Sequence, residues 1–367
     1  MNYARGKAAN IEAEIREAGL RYVDDRRPGI TRKRRGRKFA YFDPAGNAIR
    51  DDRELARIQA LAIPPAYRDV WICPIPHGHI QATARDDRGR KQYRYHKRWR
   101  ELRDEVKYHR LAAFGRVLPK IRAAVARDLR GPGLSRRKVL AVAITLLERT
   151  ALRIGNEEYV RANKSFGLTT LRARHVQVHG AKIKVRFRGK TGREHSVTLD
   201  DARIAKIVRR CRDLPGEELF SYVEDDGGIH TINSEDVNDY LREIAGDSFS
   251  AKDFRTWVGT VECIHSLAKP AANQTEAKRR VNEALRCACA RLGNTPAVCR
   301  KAYVHPAVLG AYMKFLRLPL VPRNERDVLR LIDLCEKSLD PVTQMHATLR
   351  MGRGSARGRR AVMRKAS

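Results

Sequence analysis

The residues of this chain best suited to chemistry are a tyrosine, two arginines, a lysine and an asparagine. Tyr303 stands in RKAYVHP, shortly before Pro306. Arg153 lies in LRIGNEEY, Lys190 in RGKTG, Arg255 in KDFRTW and Asn294 in LGNTPAVCRKAY, nine residues before the tyrosine. A phenol oxygen is a nucleophile that leaves a covalent ester. Guanidinium forks hydrogen-bond phosphate oxygens in pairs and stay protonated. An ammonium can give up a proton, and an amide can donate a hydrogen bond without bearing charge. Each has an ordinary reading when taken singly. One tyrosine among twelve is usually a core or surface residue, two arginines form surface ion pairs, a lysine at a turn is solvated, and an asparagine before a helix is a turn residue. GKT also suggests a nucleotide phosphate loop, but that motif needs glycine where Lys184 stands inside an alternating strand. A nucleotide site is excluded.

The elements around these residues can be read from periodicity. Three strand-like runs, RHVQVHG, KIKVRFRG and REHSVTL, turn at Gly180 and at GKTG, residues 189–192, so Lys190 sits at a hairpin tip. Residues 136–153 form the clearest buried helix, with Ser135 as N-cap and Gly155 after its end. Helical periodicity begins at Lys97, and GPG at 131–133 ends the first helix. Helices return after Asp200 with caps at Ser234, Thr275 and Thr295. Pro296 takes a first helical position, and Tyr303 lies inside a basic helix. Towards the N-terminus, TRKRRGRK (31–38) reads as a solvated arm or phosphate-contacting loop. KFAYF, DPAGN and AIRD read as a hairpin and DDRELARIQAL as a short helix. VWICP, HIQATAR and KQYRY are strands. The expected fold class is α+β: a small β-sheet-rich domain over 1–95, a larger, mainly helical domain over 96–345 carrying a short three-stranded sheet, and a basic, disordered tail over 346–367.

Composition names a class of partner. Lys and Arg number 76 against 42 Asp and Glu, a formal charge of +34 over 367 residues. Self-repulsion at that charge points to a polyanion, with nucleic acid ahead of an anionic membrane. With 42% apolar residues the chain is globular. No apolar run approaches the roughly 20 residues of a membrane helix, and Met1 to Asn10 lacks a signal-peptide core. Seven scattered cysteines suit a reducing cytoplasm. Cys287 and Cys289 would point in different directions on a helix, and His77 with His79 lacks a completing acidic or cysteine cluster, so no metal site is expected. His265 reads as a core histidine.

In chain order, the motifs around Arg153, Lys190, Arg255, Asn294 and Tyr303 resemble those of the type IB DNA topoisomerases, in particular the compact bacterial and poxvirus branch. The similarity runs from about residue 30 to about 320. It implies a tyrosine-recombinase-like catalytic domain that relaxes supercoiled double-stranded DNA as a monomer, without ATP, metal or other cofactor. By this resemblance Tyr303 is the nucleophile of a 3′-phosphotyrosyl intermediate, Arg153 and Arg255 clamp the transition state, and Lys190 protonates the departing 5′-oxygen. Many relatives carry histidine where Asn294 stands, which confines Asn294 to hydrogen bonding. GRKQYRYHKRWR (89–100) interleaves cations with aromatics, and its KQY-x-Y segment matches the family's major-groove face. Arg90, Lys91, Gln92, Tyr93 and Tyr95 are therefore expected to contact DNA, although Tyr95 could instead belong to an aromatic pair packed under a sheet. The two domains would clamp the duplex, joined near residues 95–100, and the protein would sit in the cytoplasm on the nucleoid. Two alternatives stay open: a tyrosine recombinase, disfavoured by KDFR where recombinases carry histidine two or three residues before the arginine, and a non-catalytic nucleoid-coating protein.

Overall fold

A computed structural model describes residues 12–339, apart from residues 37, 88, 247 and 248. Met1 to Asn10 and the basic tail from 346 lie outside the described residues. The chain divides into two compact units, the first ending at Lys107 and the second beginning at Tyr108.

In the first unit, alternating residues build one antiparallel sheet. Its strands are β1 (Ile30–Arg35), β2 (Lys38–Phe42), β3 (Arg68–Ile72), β4 (Ile80–Arg85) and β5 (Lys91–Tyr95), in the order β2-β1-β3-β4-β5. Helix α1 (Asp52–Ala60) starts at Asp51, whose side chain accepts from the Glu54 N–H at 2.7 Å. Ile58 of that helix packs with Ile30, Val70, Ile72, Ala82 and Ala84 of the sheet.

Two expectations fail here. The start of the basic run, residues 31–35, is strand rather than a solvated arm or a loop; Lys33, Arg34 and Arg35 stay exposed, but Arg32 is half-buried and held within the unit. Arg32 lies over the Phe39 ring and donates to the carbonyls of Ile63, Pro64 and Tyr67, while Lys33 lies over Phe42. Consequently KFAYF pairs along its length with that run. The DPAGN turn does form, closed by Asp43 and Asn47, but AIRD contributes only a Phe42–Ala48 bridge.

Helix α2 (Lys97–Asp128) runs from the first unit into the second. The second unit is mainly helical. At its centre is α3 (Arg136–Thr150), where Val139 through Ile144, with Leu146 and Leu147, is buried without a polar face. Such a helix needs cover on all sides. Around it lie α4 (Glu157–Asn163), α5 (Ala202–Arg212), α6 (Ser234–Ala245), α7 (Ala251–Ser266), α8 (Gln274–Leu292), α9 (Pro296–Ala302), α10 (Pro306–Phe315) and α11 (Glu325–Ser338). The three-stranded sheet appears as expected, as β6 (Val176–His179), β7 (Lys182–Arg188) and β8 (Glu194–Asp200) in sequential antiparallel order. Ile183, Val185 and Phe187 alternate inward from β7 and pack into the main core. A small hairpin, β9 (Ser221–Val223) with β10 (Ile229–Thr231), had no clear sequence signal.

Several helix ends differ from expectation by a few residues. Helix α6 is capped by Asn233, not Ser234, and α8 by Asn273, not Thr275; each asparagine side chain accepts from the first turn. Ser135 occupies the N-cap position of α3, but its side chain makes no cap bond. Thr295 does cap α9, with Pro296 following.

Candidate active site

The most consequential difference is where α3 stops. The helix ends at Thr150, and Ala151 adopts a left-handed conformation (φ 54°) with its N–H on the Leu147 carbonyl. Arg153 therefore leaves the helix on irregular chain instead of pointing along a helical face. That chain is pinned from the other side: Leu168 N–H bonds the Arg153 carbonyl at 2.8 Å and Thr169 N–H bonds Ile154 at 2.7 Å. Gly155, at φ 102°, and Gly167 allow the two segments to touch, since a Cβ on Gly167 would lie 2.5 Å from the Gly155 backbone.

Arg255 projects from the second turn of α7 and is 4% exposed. Nη1 donates to the Ala151 carbonyl and Nη2 to that of Leu292 at 2.9 Å. The helix stop after α3 and the end of α8 thus fix one guanidinium between them. Burial pushes the Arg255 pKa down, which Tyr303 partly offsets.

Helix α8 ends at Gly293 in the left-handed region (φ 61°), and the turn delivers Asn294. The Asn294 Oδ1 accepts from Arg153 Nη2. Its buried Nδ2 has no hydrogen-bond partner, and neither has the buried Nε of Arg255. Unsatisfied buried donors are uncommon because each carries a desolvation cost, and two in one site need an explanation.

Tyr303 is the residue that ends α9 (φ −138°), not one inside a basic helix, because its N–H closes the last turn on Cys299 and the chain then departs. Its ring lies under the Arg255 guanidinium, with Cζ 4.8 Å from the ring centroid. Burial alone would raise the phenol's pKa. The charge and hydrogen bond of Arg255, then the charges of Arg153 and Lys252, outweigh it and hold the pKa below the ordinary 10. The backbone here is fastened too. Thr260 Oγ1 donates to the Tyr303 carbonyl at 3.3 Å and accepts from the His305 N–H at 3.0 Å, while the His305 ring contacts Glu336 of α11 at 3.0 Å. Gly259 admits this close approach of α7, for a Cβ there would lie 2.8 Å from the Tyr303 carbonyl oxygen.

Arg153, Arg255, Asn294 and Tyr303 are thereby brought into one cluster from four separate stretches of chain. Lys190 is exposed in the turn at the β7–β8 tip, which Gly189 and Arg193 close with a 2.8 Å hydrogen bond. Sequence reasoning overlooked Lys252, Thr260 and, next to the cluster, His195. Alternation along β8 puts His195 on the same face as Val197 and Leu199, a polar residue on an inward-facing register that could have flagged it. Among the described residues, no group of three or more His, Cys, Asp or Glu side chains could hold a metal ion.

In the first unit the expected contact residues divide in two. Tyr93 and Tyr95 are exposed on β5, stacked 5.8 Å apart and 8° from parallel, so Tyr95 does not pack under the sheet. The polar ones are engaged locally: Arg90 and Gln92 both bond buried Asp86 through its Oδ2, at 2.8 and 2.9 Å, and Lys91 pairs with Asp25. His79 is buried and stacked on Tyr22. His265 is exposed near the end of α7, contrary to the core placement expected, because the apolar stretch turns its other face inward. Cys287 is exposed and Cys289 buried, on different faces as expected.

Comparison with known proteins identifies the family. The sequence profile of the eukaryotic DNA topoisomerase I catalytic core matches residues 96–317, and that of the bacterial DNA topoisomerase IB N-terminal domain matches residues 38–86. The chain is 32% identical over 293 residues to DNA topoisomerase 1B of Acanthamoeba polyphaga mimivirus, covering 77% of this chain and 87% of the relative. Vaccinia virus DNA topoisomerase 1B is 20% identical over 228 residues, 61% of this chain and 69% of its own. DNA topoisomerase 1 of Drosophila melanogaster is 26% identical over 209 residues, 53% of this chain and 20% of its own. The chain belongs to the type IB DNA topoisomerase family.

Proposed function

We propose that this protein relaxes supercoiled double-stranded DNA through a 3′-phosphotyrosyl intermediate formed on Tyr303. The observation that carries this reading is the Tyr303 ring lying 4.8 Å from the Arg255 guanidinium, beside buried donors on Arg255 and Asn294 that have no partner within the protein. A phosphodiester attacked by a phenol develops charge on its non-bridging oxygens, and prearranged donors stabilise that charge most where water is excluded. Arg153, Arg255 and Asn294 would hold those oxygens. Their cations also lower the proton affinity of the attacking oxygen.

In cleavage the Tyr303 hydroxyl gives its proton to water, its oxygen bonds to phosphorus as the bond to the 5′-oxygen breaks, and Lys190 passes a proton to that departing oxygen. The ester preserves the energy of the broken bond, so the 5′-hydroxyl can reverse the step without ATP after the duplex has swivelled. The first unit would grip DNA through Tyr93 and Tyr95, with Arg90, Lys91 and Gln92 adding contacts once released from Asp86 and Asp25. The enzyme would act as a monomer on the nucleoid in the cytoplasm. The test is supercoiled plasmid incubated with EDTA and without ATP. The wild-type chain should give a ladder of relaxed topoisomers, and Tyr303→Phe should bind the plasmid yet leave it supercoiled. Full relaxation by that variant would remove the mechanism.

A further inference from the structure

His195 has no role in the mechanism above, yet it touches two of its parts. The residue lies at the start of β8, directly opposite Phe187 in the β7–β8 register, and the two rings stack at 5.2 Å and 13°. That stack sets the plane of the imidazole. One edge then faces Gly189, the residue before Lys190: a Cβ there would lie 2.4 Å from Cδ2 and 2.7 Å from Nε2. The opposite edge faces Gly293, the residue before Asn294, where a Cβ would lie 2.5 Å from Cε1 and 3.0 Å from Nδ1. Neither position can carry a side chain without displacing the ring. A single flat group therefore fills the space between the two backbones that deliver the lysine and the asparagine. No other described glycine pair is bridged in this way.

From this geometry we infer that His195 is a positioning residue for cleavage: a wedge that fixes the Lys190 hairpin tip against the Gly293–Asn294 turn. The wedge works as the neutral ring. Burial, then the charges of Arg153, Arg255 and Arg193, lower its pKa below the ordinary 6.5, so it adds no like charge beside the clamp. Beyond the ring lies a cleft of about 220 Å³ bordered by Arg193, Ala151, Leu292 and Gly293, so removing the imidazole leaves the hairpin tip room to shift. Misplacement of a reacting group by about 1 Å can cost on the order of 10²-fold in rate.

The inference rests on the reading of Lys190 as general acid, and the test separates the two. Covalent adduct formation by the full-length chain is measured in single turnover on two substrates, one with an ordinary scissile phosphodiester and one whose 5′-bridging oxygen is sulfur. A thiolate departs without a proton donor because its conjugate acid has a pKa of about 8.5. Lys190→Ala should be slow on oxygen and close to wild type on sulfur. His195→Ala should be about 10- to 100-fold slow on oxygen and approach wild type on sulfur. Gly189→Ala, which keeps the histidine but displaces its ring, should show the same pattern and guards against a folding defect peculiar to the histidine variant. Wild-type rates for both variants on oxygen, or a defect equally large on sulfur while Lys190→Ala is rescued, would overturn the wedge. Failure of sulfur to rescue Lys190→Ala would overturn the general-acid reading and the inference with it.

Discussion

Arg255 holds Tyr303 by one face while being held itself by two carbonyls, those of Ala151 and Leu292. The guanidinium therefore cannot follow the phenol, and the phenol titrates in a fixed field. With a pKa held below 10 despite burial, Tyr303 should attack at a rate that rises with pH and levels off earlier than a free phenol would. Arg255→Gln removes the largest opposing influence and leaves burial, so the inflection should move upward. Maximal cleavage should fall by about 10²-fold or more. Single-turnover cleavage from about pH 7 to about pH 10.5 reads both quantities. An inflection at the same pH in the variant would show that Arg255 does not tune the nucleophile.

Asn294 divides its amide between two tasks, accepting from Arg153 and keeping Nδ2 without a protein partner. Asn294→Ala loses both and should slow cleavage about 10-fold, as expected for one hydrogen bond to a charged group. Asn294→Asp keeps the Arg153 contact but replaces the donor with a negative charge beside an anionic substrate. It should be the slower of the two by cleavage assay. Equal rates would place the importance of Asn294 in the Nδ2 donor that both variants lose, and a faster aspartate variant would place it in the Arg153 contact.

Ala151 is a non-glycine residue in the left-handed region whose carbonyl anchors Arg255. Glycine suits that backbone and a β-branched residue does not. Ala151→Gly should leave the melting temperature unchanged or raise it, with cleavage near wild type. Ala151→Val should lower the melting temperature and cleavage together, because strain relieved at the helix stop moves the carbonyl. Loss of cleavage in Ala151→Gly would separate the anchor from this backbone geometry.

How far these features were legible follows from their physical origin. The β6–β8 sheet was readable because Ile183, Val185 and Phe187 alternate with polar neighbours and glycines mark the turns. The end of α3 was not, since Ala151 carries no stop signal and its conformation is imposed by tertiary hydrogen bonds reaching to Leu292. The same limit applies to TRKRRGRK, where charge suggested exposure. Whether Arg32 is solvated or bonded to Ile63, Pro64 and Tyr67 depends on residues 31 to 35 positions away. Tyr303, Arg153, Arg255 and Asn294 could be selected by motif, but their convergence needed the fold. The register of β8 marked His195 as inward-facing, but its approach to Gly189 and Gly293 was not legible, because glycines leave no chemical signature at a distance.

The loop after Tyr303 depends on α11, and α11 is tied down at its start by charge. Arg122 of α2 donates through both Nη atoms to Glu325, at 2.5 and 2.7 Å, and through Nε to Glu148 of α3 at 2.7 Å. The hydrogen bonds from Arg122, opposed by burial, hold the Glu325 carboxyl below its ordinary 4.5. Because the native pKa is the lower one, this pairing contributes stability fully present above about pH 4.5 and lost as pH falls through the native value. The groups are partly solvent-exposed, so the contribution is modest. Glu325→Gln should lower the melting temperature at neutral pH by about 1–3 °C. The gap to wild type should close as both proteins are acidified below pH 4.5. Since α11 also presents Glu336 to His305, two residues past the tyrosine, the variant should lose cleavage at a lower temperature than wild type does. A gap in melting temperature that stays constant through acid pH would assign the effect to packing of the side chain rather than to its charge.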